Sequence, residues 1–259
     1  MGALYERRWL IAYFVQRQLS GIHRGSFLGF AWLILGPMLM VVLYTLVFSK
    51  IIGLRFRETQ SVSNFGLYLY CGLLPFQAFS DTLNRAVTSI RGNPLVERVV
   101  FPLEILPLST ALTAFAAQFL GFGALMILVV LLEQELHWTL LLLPIVAIPQ
   151  LLFVLGMSYL VSIAGTYLPD VRESLRALLR AMLFVTPILW PASLVPERFR
   201  FVVDYNPLAF LVEAYRNLIL EGKLPDMTTL LLFTLLSATL AVAGLALFMR
   251  LKKHFVELV

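Results

Sequence analysis

The sequence predicts an all-α integral membrane protein with six membrane-spanning helices in a single domain, residues 1–259. Two observations predict this fold class. First, 60% of the residues are hydrophobic and 14% are charged, whereas a soluble domain is about half apolar and about a quarter charged. Second, several apolar runs reach the roughly 20 residues that a helix needs to cross a bilayer. The runs lack the alternation of polar and apolar residues that is typical of membrane barrel strands.

The predicted spans, in chain order, are residues 27–48, 64–79, 105–132, 138–167, 178–190 and 228–249. The second and fifth runs are short for a bilayer, so we expect their helices to extend into flanking residues. Prolines such as Pro75 and Pro149 are compatible with these spans, because neighbouring groups in a membrane protein satisfy the carbonyls that proline frees.

Lysine and arginine in the connections predict which side of the membrane is cytoplasmic. Thirteen of the 20 lie before the first span, in the second-to-third and fourth-to-fifth connections, and after the sixth span. Seven lie in the remaining connections. This excess predicts that both termini are cytoplasmic. The net charge of +5 is therefore explained by topology and anionic lipids, and no nucleic-acid partner is predicted.

Motifs for ATP hydrolysis, metal binding and ion coupling are absent from the sequence. No P-loop Gly-x4-Gly-Lys-Ser/Thr occurs, and no His-Glu-x-x-His occurs. No charged residue lies in the predicted spans 27–48, 105–132, 138–167 and 228–249, whereas an ion-coupled carrier or a membrane enzyme would use such residues. A single cysteine, Cys71, excludes an intramolecular disulfide. The sequence therefore predicts a non-catalytic membrane scaffold that binds no metal or cofactor and is driven by another subunit.

The segment RGNPLVERVVFPLE, residues 91–104, interrupts the apolar runs on the predicted cytoplasmic side. Gly92 and Pro94 are typical of a helix end followed by a new first turn. Residues 95–101 can then form a short helix with apolar and charged residues side by side. Two interpretations stay open, namely a peg that enters a groove on an ATPase subunit and an interfacial helix on lipid headgroups.

The fourth-to-fifth connection, LPDVRESLR, has similar chemistry. Asp170 can cap a helix, and Arg172, Arg176 and Arg180 share one helix face at a spacing of four. One interpretation of these arginines is that they set the membrane topology and contact lipid phosphates. The other is that they help to dock an ATPase or bind a lipid diphosphate.

Residues 187–226 are too apolar for a solvated loop and too interrupted for a span. Pro187, Pro191 and the pair Asn206-Pro207 break this segment, and Glu213 and Arg216 are spaced to form an ion pair on a helix. Aromatic side chains elsewhere either line a passage or belong to the aromatic belt of a membrane protein. The candidates for the passage are Trp32, Tyr44, Phe76, Phe79, Phe184 and Trp190.

Four blocks in this order resemble the membrane subunits of polysaccharide ABC exporters, the O-antigen, capsule and teichoic-acid permeases. The blocks are RGSFLGFAWLILGPMLMVVLYTLVFSKIIG, GLLPFQAFSDTLNRAVTSIRGNPLVERVVFPLEILPLS, LPDVRESLRALLRAMLFVTPILWPASLVP and YNPLAFLVEAYRNLILEGKLPD. One departure occurs before the Ser-x-Leu-Gly of the first block. The family often has an Arg-Tyr pair there, and this chain has Ile22-His23 followed by Arg24.

The resemblance implies an N-terminal interfacial helix in residues 1–26, a cytoplasmic coupling helix in residues 82–104 and re-entrant outer gate helices in residues 187–226. It implies a homodimer in the bacterial inner membrane, bound to two copies of a separate ATPase that uses ATP and Mg. The implied ATPase-coupling residues are Arg91, Asn93, Leu95, Val96, Glu97, Arg98, Asp170 and Arg172. The implied candidates for binding a lipid diphosphate are Arg7, Arg8, Arg17 and Arg24.

The substrate implied by the resemblance is a lipid-linked polysaccharide, carried for example on undecaprenyl diphosphate. An ABC permease for a drug or a small lipid is the nearer alternative. A membrane enzyme that acts on a polyprenyl carrier is the more distant one, and the absence of acid and base residues from the spans disfavours it.

Overall fold

The computed structural model describes residues 8–21, 32–53, 62–91, 101–132 and 136–258. Regular structure in these residues is helical, and no strand occurs in them. The α-helices are α1 (Arg8–Gly21), α2 (Trp32–Tyr44), α3 (Val62–Ala86), α4 (Ile105–Leu132), α5 (Leu143–Tyr167), α6 (Val171–Val185), α7 (Phe201–Asp204), α8 (Pro207–Arg216) and α9 (Met227–Leu258). Two π-helical segments, Thr45–Ile51 and Asn217–Glu221, continue α2 and α8. Short 3-10 helices occupy Trp138–Leu142, Ala192–Leu194 and Glu197–Phe199.

Three helices in the described ranges are long and apolar enough to cross a membrane, namely Ile105–Leu131, Trp138–Tyr167 and Met227–Phe255. They coincide with the third, fourth and sixth predicted spans. The second predicted span lies within α3, which has 25 residues, so its helix extends as expected. The fold class is therefore confirmed as all-helical with apolar spans, and the count of six spans stays a prediction.

The fifth predicted span, residues 178–190, extends at its start as expected, because helix α6 begins at Val171, but its predicted end is wrong, because α6 ends at Val185. The helix begins early because Leu175 and Leu179 are buried at helical spacing and arginine is a good helix former. It ends early because Pro187 disfavours helical geometry at the residue before it. Thr186 is accordingly extended, with φ −80° and ψ 136°.

Helix α3 lies at the centre of the bundle and packs against α4, α5, α6 and α8. Its side chains from Phe65 to Phe76 are all buried. A helix that is buried on all sides contacts protein rather than lipid. α3 is therefore the element against which the other helices are positioned.

Helices α5 and α9 pack closely along their lengths. A Cβ atom on Gly156 would lie 2.5 Å from the carbonyl carbon of Leu240, and one on Gly244 would lie 2.7 Å from the carbonyl oxygen of Gly156. Small residues let membrane helices approach this closely. The two glycines thus fix the distance between the two helix backbones.

The bundle has two ends, and we name each end after a residue that lies there, Arg216 or Glu104. At the Arg216 end, the start of α3 contacts the segment after α8 through Tyr68 and Glu221. At the Glu104 end, the residues after α3 meet the end of α5, where Ser89 and Ser162 are hydrogen bonded at 3.0 Å. Phe14 of α1 and Phe255 of α9 share an apolar cluster at the same end.

Candidate functional site

The turn that follows α6, residues 186–189, lies in the interior at the Arg216 end. Thr186, Ile188 and Leu189 are almost fully buried. Pro187 has no N–H to donate, and the turn lies outside any helix, so its carbonyl groups need partners from elsewhere.

Arg216 supplies those partners from the end of α8. Its side chain is buried, and Nη1 donates to the carbonyl of Pro187 at 2.8 Å while Nη2 donates to the carbonyl of Ile188 at 3.0 Å. Nε donates to the carbonyl of Tyr68 in α3 at 3.1 Å. A guanidinium group suits this task because its donors form a rigid planar fork. Arg216, Tyr68, Pro187 and Ile188 together are the Arg216 cluster.

Gly72 and Asn206 lie next to the Arg216 cluster and support its arrangement. A Cβ atom on Gly72 would lie 2.9 Å from Nη2 of Arg216, so glycine at this position leaves room for the guanidinium group. Asn206 accepts a hydrogen bond from the N–H of Leu208 and caps α8. Its amide nitrogen also donates to the hydroxyl of Thr186 at 3.0 Å.

The predicted outer-gate residues therefore divide into two groups. Pro187, Asn206 and Arg216 meet at one turn, and Pro207 is the first residue of α8. Pro191 is buried, and among the contacts described for this chain none joins it to the Arg216 cluster. Glu213 is exposed, and the hydrogen bonds of Arg216 described above go to backbone carbonyls of other elements.

A second set of contacts closes the same end of the bundle. Tyr68 donates to Glu221 at 2.8 Å, and Glu221 forms an ion pair with Lys223 at 2.9 Å. Gly222 between them has φ +63°, a backbone conformation that favours glycine. The hydroxyl of Thr139, before α5, donates to the carbonyl of Leu218 at 2.6 Å. These contacts join α3, α5 and the segment after α8.

A buried amide pair lies in the middle of the bundle. Gln118 of α4 and Gln150 of α5 donate to each other at 3.1 and 3.0 Å. Tyr215 of α8 donates to the same Gln150 oxygen at 2.6 Å, and the Gln150 nitrogen lies 3.4 Å from the carbonyl of Pro75 in α3. The sequence reasoning missed this pair because it searched the spans for charged residues and not for amides.

The Glu104 end carries the contacts on both sides of the predicted coupling segment. Glu104 forms an ion pair with Lys252 of α9 at 3.2 Å, and the Tyr159 hydroxyl of α5 donates to the carbonyl of Glu104 at 3.2 Å. Ile90 and Leu103 are buried in one apolar cluster with residues of α1, α5 and α9. The chain is thus attached to the bundle just before and just after residues 92–100.

The predicted coupling residues Asn93, Leu95, Val96, Glu97 and Arg98 lie outside the described residues. Arg91 is exposed at the end of the segment before them. Asp170 and Arg172 are exposed at the start of α6, at the same end of the bundle.

The candidates for a lipid diphosphate lie at the N-terminus. Arg8 and Arg17 are exposed on α1, and Arg7 and Arg24 lie outside the described residues. Helix α1 is joined to the start of α4, where Gln18 donates to Ser109 at 2.9 Å.

The aromatic candidates separate by burial. Phe76 and Phe79 are buried, and Phe79 stacks on Phe153 with ring centroids 5.7 Å apart. Tyr44 is half-buried, Phe184 is 61% exposed, and the indole of Trp190 donates to the carbonyl of Phe184 at 2.8 Å. The side chain of Trp32 lies outside the described residues. A passage along the surface of this chain can reach Tyr44, Phe184 and Trp190, whereas Phe76 and Phe79 pack inside the bundle.

Within the part of the chain that the structure describes, no group of three or more His, Cys, Asp or Glu side chains could hold a metal ion. The polar groups described above hold helices together or face the surface.

Comparison with known proteins gives consistent matches along the chain. The profile of the ABC-2 type transporter family matches residues 10–220. The O-antigen export system permease protein RfbA of Myxococcus xanthus is 30% identical over 257 residues, which cover 98% of this chain and 96% of that protein. An RfbA protein of Klebsiella pneumoniae is 27% identical over 262 residues, covering 100% of this chain and 96% of the relative. The polysialic acid transport protein KpsM of Escherichia coli is 26% identical and covers 85% of each chain.

Proposed function

The chain belongs to the ABC-2 type transporter family, and from this premise we propose that it is the permease subunit of an ATP-driven polysaccharide exporter in the bacterial inner membrane. Its substrate class is a lipid-linked polysaccharide of the O-antigen or capsule type. The observation that carries the proposal is the near full-length similarity to O-antigen export permeases, which covers 96% of those relatives. The apolar helices of the chain support the membrane location.

The Glu104 end is the cytoplasmic end in this proposal. It carries α1, the end of α9 and the start of α6, and these elements bring most of the lysine and arginine that the positive-inside rule assigns to the cytoplasm. Both termini are then cytoplasmic. Arg8 and Arg17 lie at this end, where a lipid diphosphate would enter.

ATP hydrolysis belongs to a separate subunit in this proposal, and ATP and Mg bind there. The ATPase would press on residues 92–100 and on the start of α6 at Asp170 and Arg172. The anchoring of Ile90 and Leu103 in the apolar cluster supports this role, because a force on the segment would pass directly to α1, α5 and α9. We expect Glu97 and Arg98 to contact the ATPase.

The Arg216 end is the outer end, and residues 187–226 form the gate. The short helices of this segment are linked to α3 through Arg216 and to α6 through Asn206 and Thr186. A displacement of α6 would therefore move the gate. We propose that two copies of the chain enclose the passage, with Tyr44, Phe184 and Trp190 among the aromatic residues that face it.

The first experiment is isolation of the tagged chain from native membranes in mild detergent, with mass spectrometry of the bound proteins. We expect a P-loop ATPase in near-equimolar amount, and deletion of the gene should leave the lipid-linked polysaccharide inside the cell. Isolation of the chain alone, also after gentle crosslinking, would contradict the proposal. Normal surface polysaccharide in the deletion strain together with a bound ATPase would favour the drug or small-lipid permease.

The coupling role is tested by the double substitution Glu97→Ala and Arg98→Ala. We expect ATPase activity to continue while export stops, because the push on the bundle is lost. The matched control is Arg250→Ala with Lys253→Ala, two exposed cations of α9 outside the coupling segment and the gate. Unchanged export in the first variant would remove the coupling assignment.

A further inference from the structure

Helix α6 presents a row of arginines on an exposed face. Leu175 and Leu179 are buried against the bundle, whereas Arg172, Arg176 and Arg180 are exposed. Arg176 forms an ion pair with Glu173 at 3.0 Å, and its side chain keeps 44% exposure. The three arginines follow each other at a spacing of four, which aligns them along one side of the helix. We call this side the arginine face of α6.

The depth of the arginine face in the membrane can be inferred from contacts made just before and just after α6. The preceding helix α5 meets the turn after α3 at Gly165 and Val87. The turn after α6 meets α3 at Tyr68 through Arg216. Helix α6 therefore runs beside α3 from the Glu104 end to the Arg216 end. At 1.5 Å per residue, Arg180 lies about 13 Å along the helix from its start.

The glutamine pair lies at the centre of an apolar span, which we take as the midpoint of the membrane on the same scale. Gln118 is the central residue of the apolar span Ile105–Leu131, and Gln150, its partner, contacts Pro75 of α3. Pro75 is twelve residues, or about 18 Å, from Val87 along α3. Arg180 thus lies within about 10 Å of the level of the glutamine pair, inside the roughly 15 Å half-thickness of the hydrocarbon core.

An arginine at this depth is energetically unfavourable when its side chain faces lipid. Charged side chains inside membrane segments face a bundle interior or a water-filled cavity, since exposure to hydrocarbon is costly. The side chain of Arg180 leans toward the helix start, which brings its charge closer to the Glu104 end but leaves it within the span. Leu178 and Val185, on the other flank of the exposed surface, are 56% and 43% exposed and suit lipid or apolar protein.

We propose that the arginine face of α6 lines the water-filled part of the transport path and binds anionic oxygens of the transported molecule. This inference rests on the proposed function. Guanidinium groups pair with phosphate and carboxylate through two parallel hydrogen bonds. Phe184 lies one helical turn beyond Arg180 and is exposed, so an aromatic surface for a sugar ring follows the last cation. The substrate class is an anion-bearing glycan, whose charge comes from a lipid diphosphate or from acidic sugars.

The first arm of the test measures water access with matched cysteine pairs. Ala177→Cys and Leu178→Cys lie at nearly one depth, but Ala177 is about 60° around the helix from Arg180 and Leu178 is about 160° from it. Phe184→Cys and Val185→Cys form a second pair, at about 40° and 140° from Arg180. The variants are made in a Cys71→Ala background, and also with Cys71 retained, because Cys71 is buried. We expect a charged methanethiosulfonate to modify positions 177 and 184 at least about tenfold faster than positions 178 and 185. Equal rates, or faster modification of 178 and 185, would overturn the proposal.

The second arm identifies the source of the anion in the purified complex. Phosphatidylcholine vesicles with a polyprenyl diphosphate, or a soluble oligosaccharide of acidic sugars, are added before modification of Ala177→Cys. Protection by the first probe assigns the face to the lipid diphosphate, and protection by the second assigns it to the glycan. Arg176→Gln with Arg180→Gln should abolish that protection, whereas Arg250→Gln, an exposed arginine on α9, should leave it intact. Protection by neither probe, or protection that survives the double substitution, would overturn the binding role.

The two proposals fail in different ways. The cysteine pairs report water access without any transport, so they would still differ if the chain exported something other than a polysaccharide. Copurification of an ATPase tests the exporter assignment without reference to α6.

Discussion

Replacing Arg216 by leucine tests whether the Arg216 cluster holds the Arg216 end of the bundle together. The substitution removes the guanidinium donors and keeps an apolar side chain in the interior. The carbonyl of Tyr68 lies inside α3, where the helix's own hydrogen bonds also serve it. The carbonyls of Pro187 and Ile188 lie outside any helix, and no other hydrogen bond to them occurs among those described. These two acceptors lose the partner that Arg216 gives them.

The expected loss of stability follows from the carbonyl groups of Pro187 and Ile188. Leaving a buried acceptor without a partner costs about 1–3 kcal/mol, so the free energy of unfolding should fall by about 2–6 kcal/mol. For a chain of this size, that range lowers the melting temperature by about 5–20 °C. Arg216→Lys should lie in between, because one ammonium group cannot reach acceptors on two elements in the fork geometry of arginine.

The assay is thermal unfolding of the detergent-solubilised chain, followed by tryptophan fluorescence. Trp190 follows the 186–189 turn directly, so its signal reports on the region where the carbonyls lose their donor. Arg250→Leu is the matched control because Arg250 is exposed, and we expect it to leave the melting temperature unchanged. An Arg216→Leu chain that melts within about 2 °C of the parent would refute the reasoning, since the turn would then be held without the guanidinium group.

Three further substitutions test other parts of the bundle. Gln150→Leu should lower the free energy of unfolding by about 2 kcal/mol, because its buried amide and hydroxyl partners lose their hydrogen bonds; equal thermal stability would show that the pair contributes nothing. Gly156→Ala should cost about 1–3 kcal/mol by forcing α5 and α9 apart, whereas Gly123→Ala, where a Cβ atom meets nothing within 4 Å, should be neutral or stabilising. A double-mutant cycle with Glu104→Gln and Lys252→Met should give a coupling of at least about 0.5 kcal/mol in unfolding experiments, and additive effects would exclude an energetic link.

The long apolar helices were predictable from the sequence because hydropathy over a full span is a strong signal. The third and fourth spans coincide with α4 and with the helical residues 138–167. The bounds of helix α6 were predicted less accurately, for a physical reason. Its first half carries arginines, so hydropathy assigned it to a connection, although buried leucines at helical spacing continue through it.

The interior polar contacts were not predictable, because they depend on which elements meet in three dimensions. Local spacing suggested a contact of Arg216 with Glu213, and it gave no sign that the fold brings the Pro187 and Ile188 carbonyls to the guanidinium group. Gln118 and Gln150 are 32 residues apart, and nothing in the spacing links them. Amides inside apolar runs are the signal that a search limited to charged residues overlooks.

The bundle contacts also indicate which part should move during transport. Helices α5 and α9 are locked by the close approach at Gly156, and α3, α4 and α5 are joined by the amide pair in the middle of the bundle. Helix α6 is attached more lightly, through Leu175 and Leu179 and through the turn that Arg216 holds. A force applied at Asp170 and Arg172 would therefore act on a helix that is attached less firmly than α5 and α9. Such a movement would shift the arginine face and residues 187–226 together, because both belong to the same continuous stretch of chain.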